Sequence, residues 1–129
     1  MEPVPTYPPH RLGRRGEDIA ATFLKDRGWI ILARNYRFGR REVDLVIRRG
    51  GVLAFVEVKT RAGEGFGGPE AAITRLKRRE IEIVAAQYLV RFPPGDVDIR
   101  FDAVALQRMH GHGEFHIEHI EDAWRPDWP

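Results

Sequence analysis

Apolar positions along the chain fall into two periods. Between residues 10 and 28, Leu12, Gly16, Ala20, Phe23 and Leu24 recur at three- and four-residue steps, the pattern of one buried helix face. Gly28, after Lys25 and Arg27, marks the stop of that helix. The period then shortens. Residues 29–38 are rich in strand formers, and 41–49 alternate, which assigns Val43, Leu45 and Ile47 to one face. Gly50 and Gly51 turn the chain into a third strand, 52–60, and a glycine-rich loop with Gly63, Gly65, Gly67 and Gly68 follows. Pro69 or Thr74 can open a second helix, which runs to about Arg91, where Phe92-Pro93-Pro94-Gly95 ends it. Two more strands are predicted over 97–106 and 114–120, ahead of a polar and aromatic tail.

The predicted order is α-β-β-β-α-β-β. Three strands form a meander, and the second helix has the length of a crossover between parallel neighbours, which would be right-handed. The fold class is therefore α/β, a mixed sheet with helices packed against it. A single domain over residues 11–129 is expected. The opening decapeptide, with four prolines, is expected to be a disordered or extended leader.

Charged residues interrupt this pattern in the third strand. In "AFVEVKTR", Phe55, Glu57 and Lys59 share a face, although charged residues are seldom fully buried without partners. A solvated face or a salt-bridged sheet edge would account for the pair. The glycine turn adds a constraint. If Gly50 and Gly51 form a two-residue hairpin loop, Arg49 faces Val52, Asp44 faces Glu57, and Glu42 faces Lys59. Facing carboxylates repel each other, so such a pair raises a pKa or holds a cation. Glu17 shares a helix face with Ala20, Ala21 and Leu24. It suits a helix N-terminus, or it looks across the packed side toward the strand carboxylates. Three carboxylates and a lysine match hard-metal phosphodiester chemistry. Mg²⁺ takes one or two carboxylates and keeps several waters, and a lysine beside it can orient or deprotonate a water and stabilise developing charge.

Composition adds less. Net charge is +2, but residues 1–64 carry 13 Lys and Arg against 8 Asp and Glu, while the remainder carries 8 against 11. Arginine outnumbers lysine 18 to 3 and clusters at Arg34, Arg37, Arg40, Arg41 and at Arg75, Lys77, Arg78, Arg79. Such forks suit phosphate oxygens, and they also follow from genomic composition or heat adaptation. The absence of cysteine excludes a disulfide framework or thiolate metal site and fits a reducing cytoplasm, the expected location. No apolar run approaches the ~20 residues of a membrane span, so no membrane association is expected.

The segments "GRRGEDIAATFL", "REVDLV", "FVEVKTR", "AITRLKRREIEIVAAQYL" and "IRFDAVAL", in that order, resemble the YraN-type family of bacterial endonuclease-like proteins. That family is similar to archaeal Holliday junction resolvases of the PD-(D/E)xK nuclease superfamily. The resemblance covers residues 11–124. It implies a restriction-endonuclease-like fold, with Asp44 and Glu57 as metal ligands and Lys59 as the catalytic lysine. It also implies that Glu17 is the helix glutamate that completes the site. Val43 stands where the superfamily carries proline, and Arg41-Glu42 where the family usually has Gly-Glu.

The function expected is a Mg²⁺- or Mn²⁺-dependent DNA endonuclease acting on branched or repair-intermediate DNA. Arg40, Arg41, Arg61, Lys77 and Arg78 are its candidate phosphate contacts. A non-catalytic nucleic-acid-binding module and a protein-interaction domain with a vestigial acidic site are the competing readings. Arg100 and Asp102 share a strand face and are expected to buttress the sheet. His110, His112, His116 and His119 fit no zinc spacing and are expected at the surface of a hairpin. Trp124 and Trp128 are expected to cover an edge or a contact between two copies in a two-fold homodimer.

Overall fold

The computed structural model describes residues 12–61, 73–108 and 115–128. Two helices and five strands follow in the predicted order: α1 (Leu12–Asp26), β1 (Ile30–Phe38), β2 (Arg41–Arg49), β3 (Val52–Arg61), α2 (Arg75–Arg91), β4 (Asp98–Arg108) and β5 (Phe115–Trp124). The decapeptide leader, the loop glycines, Pro69, His110 and His112 lie outside the described residues.

The five strands form one sheet in the order β1-β2-β3-β4-β5. β3 and β4 are parallel, with α2 as the crossover, and the other neighbours are antiparallel. Each sheet face carries one helix. Ala20, Ala21 and Leu24 of α1 pack on Leu45, Ile47, Ala54, Val56, Val104 and Leu106. Ile81, Val84, Ala85 and Tyr88 of α2 pack on Val46, Leu53, Phe55, Phe101 and Ala103. Alternation in β3 explains the division, since Leu53 and Phe55 face α2 while Ala54 and Val56 face α1. The central strands are apolar on both sides because both sides are covered. This is the restriction-endonuclease-like architecture.

Local chemistry sets the boundaries. Gly28 takes φ 89° after α1, a conformation that favours glycine, and Trp29 N donates to Leu24 O at 3.1 Å. Thr74, rather than Pro69, caps α2: its side chain accepts from Lys77 N at 3.1 Å. At the other end of α1, Gly16 is buried against Thr60 of β3, and a Cβ there would collide with the Thr60 hydroxyl. That close approach brings the N-terminal turn of α1, and with it Glu17, to the end of β3.

Three expectations need correction. Val43 does not share a face with Leu45 and Ile47. It packs with the α2-side cluster, as Val46 does, so the alternation of β2 breaks around Asp44. The same break occurs opposite, in β1. Ala33 and Tyr36 both pack toward α2, while Arg34 and Asn35 both reach residues of α1. Asn35 has φ 50°, and asparagine is among the few residues that accept this left-handed conformation readily. Trp124 is not an exposed edge aromatic. It is buried on its own domain, 5.2 Å from the Phe101 ring, with Nε1 donating to Glu82 at 2.9 Å. Trp128 packs edge-on against Phe101 at 5.5 Å and stays partly exposed. The histidines divide as well. His116 is exposed, but His119 places Nε2 2.8 Å from Oδ2 of the buried Asp102.

Arg100 and Asp102 buttress the sheet as expected. Arg100 reaches both Asp102 oxygens, at 3.2 and 2.8 Å, and Asp122 N donates to Oδ1 at 2.9 Å. Burial alone would raise the Asp102 pKa, but the bonds from His119, Arg100 and Asp122 N outweigh it and hold the group below the ordinary range.

Candidate active site

The glycine hairpin delivers the register that the site needs. β2 and β3 pair from Arg49↔Val52 to Leu45↔Val56, the frame that a two-residue Gly50-Gly51 loop predicts. Pairing stops there. Beyond Leu45 and Val56 the strands no longer form a ladder, and the Val58 amide, freed from β2, donates to Asp44 Oδ2 at 2.7 Å. The predicted opposition of Glu42 and Lys59 does not occur, because Glu42 lies past the end of this ladder and past the break at Asp44. It faces Arg37 across β1 instead, with Arg37 Nη2 3.1 Å from Oε2.

Asp44 and Glu57 do meet, and their carboxyl groups hydrogen-bond each other. Burial, the hydrogen bond and the charge of Glu57 together push the Asp44 pKa up to about 8, against the lowering pull of the Val58 amide and Lys77. The pair thus resists losing its last proton near neutral pH. Glu57 is only 3% exposed. Lys59 Nζ from β3 and Lys77 Nζ from α2 each lie 3.8 Å from Glu57 Oε2. Lys77 reaches the site because Ile81, Val84 and Ala85, at helical spacing from it, are buried against the sheet.

A second group of acids stands on the α1 side. Asn35 Nδ2 donates to Glu17 Oε1 and to Glu42 Oε1, both at 2.6 Å. Burial raises the Glu17 pKa; Asn35 opposes this, Asp44 and Glu42 add to it by charge, and Arg34 counters them. Arg34 pairs with Asp18, one residue along α1. Asp44 thus sits at the junction, bonded to Glu57 on one side and within electrostatic reach of Glu17 on the other.

Asp44, Glu57, Lys59 and Lys77 are brought together, whereas Glu17 remains with Asn35 and Glu42. Among the described residues no three His, Cys, Asp or Glu side chains converge tightly enough to hold one metal ion. The donor set still suits a hard cation. Two carboxylates at the open end of a strand pair are what Mg²⁺ or Mn²⁺ uses when water and phosphate supply the remaining ligands. Arg40 and Arg41 are exposed at the β1–β2 turn, and Arg61 closes β3. Arg78 is engaged within the fold, its Nε donating to Ile73 O at 3.1 Å and its guanidinium 5.6 Å from the Trp124 ring. Asn35 and Glu42 were not singled out as site residues from sequence. The available signal was the chain's one asparagine, set among strand formers that asparagine does not resemble.

Residues 16–106 match the model of a family described as "Uncharacterised protein family UPF0102". The chain is 42% identical over 123 residues to a UPF0102 protein of Chlorobium phaeobacteroides strain BS1, covering 92% of this chain and 98% of that relative. It is 45% identical over 114 residues to the UPF0102 protein of Rhodococcus opacus, covering 88% of this chain and 95% of that one. The UPF0102 protein of Geotalea uraniireducens is 46% identical over 114 residues, 88% of each chain. The chain belongs to the UPF0102 family, the YraN-type family that its motifs resemble.

Proposed function

We propose that this UPF0102 member is a Mg²⁺- or Mn²⁺-dependent DNA endonuclease that hydrolyses phosphodiester bonds in branched or repair-intermediate DNA. The observation that carries the reading is the carboxyl pair of half-buried Asp44 and buried Glu57, flanked by two lysines at the open end of β2 and β3. Holding two acids in contact with one of them buried is costly, and a fold that needed only stability would have apolar residues there. Perturbed carboxyls of this kind concentrate at functional sites.

Asp44 and Glu57 would hold the cation, with Glu17 nearby. When bound, the metal would lower the pKa of a water and neutralise charge on the phosphoryl oxygens. Lys59 orients the attacking water and stabilises the anion that develops on phosphorus. Lys77 offers a second cation from the facing helix, and Arg40, Arg41, Arg61 and Arg78 are the candidate contacts to flanking phosphates.

A second reading, a non-catalytic nucleic-acid-binding module on the same fold, draws on one observation. Glu57 already has Lys59 and Lys77 beside it, and Asp44 has Glu57 and Val58 N, so the acids are partnered within the protein. A cleavage panel separates the two readings. Linear, single-stranded, flapped and four-way DNA are incubated with Mg²⁺, Mn²⁺ or chelator. Metal-dependent cutting of any of them supports the enzyme. Salt-sensitive binding with no cutting supports the module, and no binding to any of them counts against both.

A further inference from the structure

We infer that Asn35 is a positioning residue of the metal site, acting through Glu17; this rests on the metal-dependent reading above. Glu17 of α1 and Glu42 of β2 are both acids, and nothing in their own chemistry would keep Glu17 turned toward Glu42. Left alone, a half-exposed glutamate on the first turns of a helix would swing toward water. The Asn35 amide opposes that swing. Both of its hydrogens are used, one on Glu17 and one on Glu42, each at 2.6 Å. The same two bonds bring charge-assisted donors to two acids at once.

The backbone is built for this contact. A regular strand would send Arg34 and Asn35 to opposite faces. The φ of 50° at Asn35 sends both toward α1, where Arg34 meets Asp18 and Asn35 meets Glu17. The alternation of β2 breaks across the sheet from it, at Asp44, the residue that meets Glu57. One local departure thus joins Glu17 of α1 to Glu42 of β2 through Asn35. Strained or unusual backbone of this kind gathers where geometry serves a site.

The test is a double-mutant cycle read by Mn²⁺ calorimetry on the full chain. Asn35→Gly keeps the left-handed backbone and deletes the amide. Asn35→Ala also deletes it and serves if the glycine variant melts early. Partners that orient a metal ligand typically change affinity 10–100-fold, so Asn35→Gly should weaken Mn²⁺ binding about tenfold. In a Glu17→Gln background the same change should cost little, because the carboxylate it positions is gone. Equal Mn²⁺ affinity in wild type and Asn35→Gly, tighter binding in the variant, or full additivity with Glu17→Gln would overturn the role of Asn35 alone. A wild-type protein that binds no Mn²⁺ would overturn the metal reading and this inference with it.

Discussion

Replacing Asp44 by asparagine should stabilise the metal-free protein, by an amount that grows with pH. Asp44 titrates near 3.8 in an unfolded chain and at about 8 in the fold. Between these values the folded state binds one proton more than the unfolded state, so rising pH favours unfolding. The slope is about 1.4 kcal/mol per pH unit, and a shift of about four units sets a ceiling of about 5 kcal/mol. Asparagine removes the titration and retains the geometry. Its amide can donate to Glu57, and its carbonyl oxygen can accept the Val58 amide that now lies 2.7 Å from Asp44 Oδ2. Groups that do not touch Asp44 cancel in the comparison. Urea denaturation in chelator should therefore show Asp44→Asn gaining about 3 kcal/mol on wild type between about pH 5 and about pH 7. Parallel stability curves for the two proteins across that range would refute the reasoning, because Asp44 would then not be held protonated by its neighbours.

Two further predictions concern the frame around the site. Gly16→Ala should lower stability by about 1–3 kcal/mol through collision with Thr60, and Thr60→Ala should restore most of the loss; equal cost in both backgrounds, by urea denaturation, would remove the contact as the cause. His119→Ala should cost about 1–3 kcal/mol near neutral pH by taking a hydrogen-bond partner from the buried Asp102. Because Asp102 lies below its ordinary range, its contribution is present at neutral pH and fades only in acid, as pH falls through its folded pKa. A change within experimental error in neutral denaturation would show that Arg100 and Asp122 N suffice.

Much of the fold was legible because its signals are local. The Gly50-Gly51 turn set the register that places Asp44 beside Glu57, and the helical spacing of Ile81, Val84 and Ala85 aimed Lys77 at the same carboxyl. What failed was the assumption that strands stay regular. One left-handed residue, Asn35, turned Arg34 and Asn35 to the same side, and the matching break in β2 moved Val43 to the other core and carried Glu42 away from Lys59. Strand periodicity cannot register such a break, because each residue is assigned from its neighbours' parity. The burial of His119 and Trp124 was hidden for a different reason. Their partners, Asp102 and Glu82, lie far away in sequence and belong to other elements.

The central claim is that Asp44, Glu57 and Lys59 form a hydrolytic centre. It is tested most directly by single-turnover cleavage of a four-way junction with Mn²⁺, with binding measured in the same samples. Wild type should cut. Asp44→Ala and Glu57→Ala should still bind the junction and should not cut it. Lys59→Ala should bind Mn²⁺ normally and cut slowly. Equal cleavage by wild type and both carboxylate variants would contradict the account.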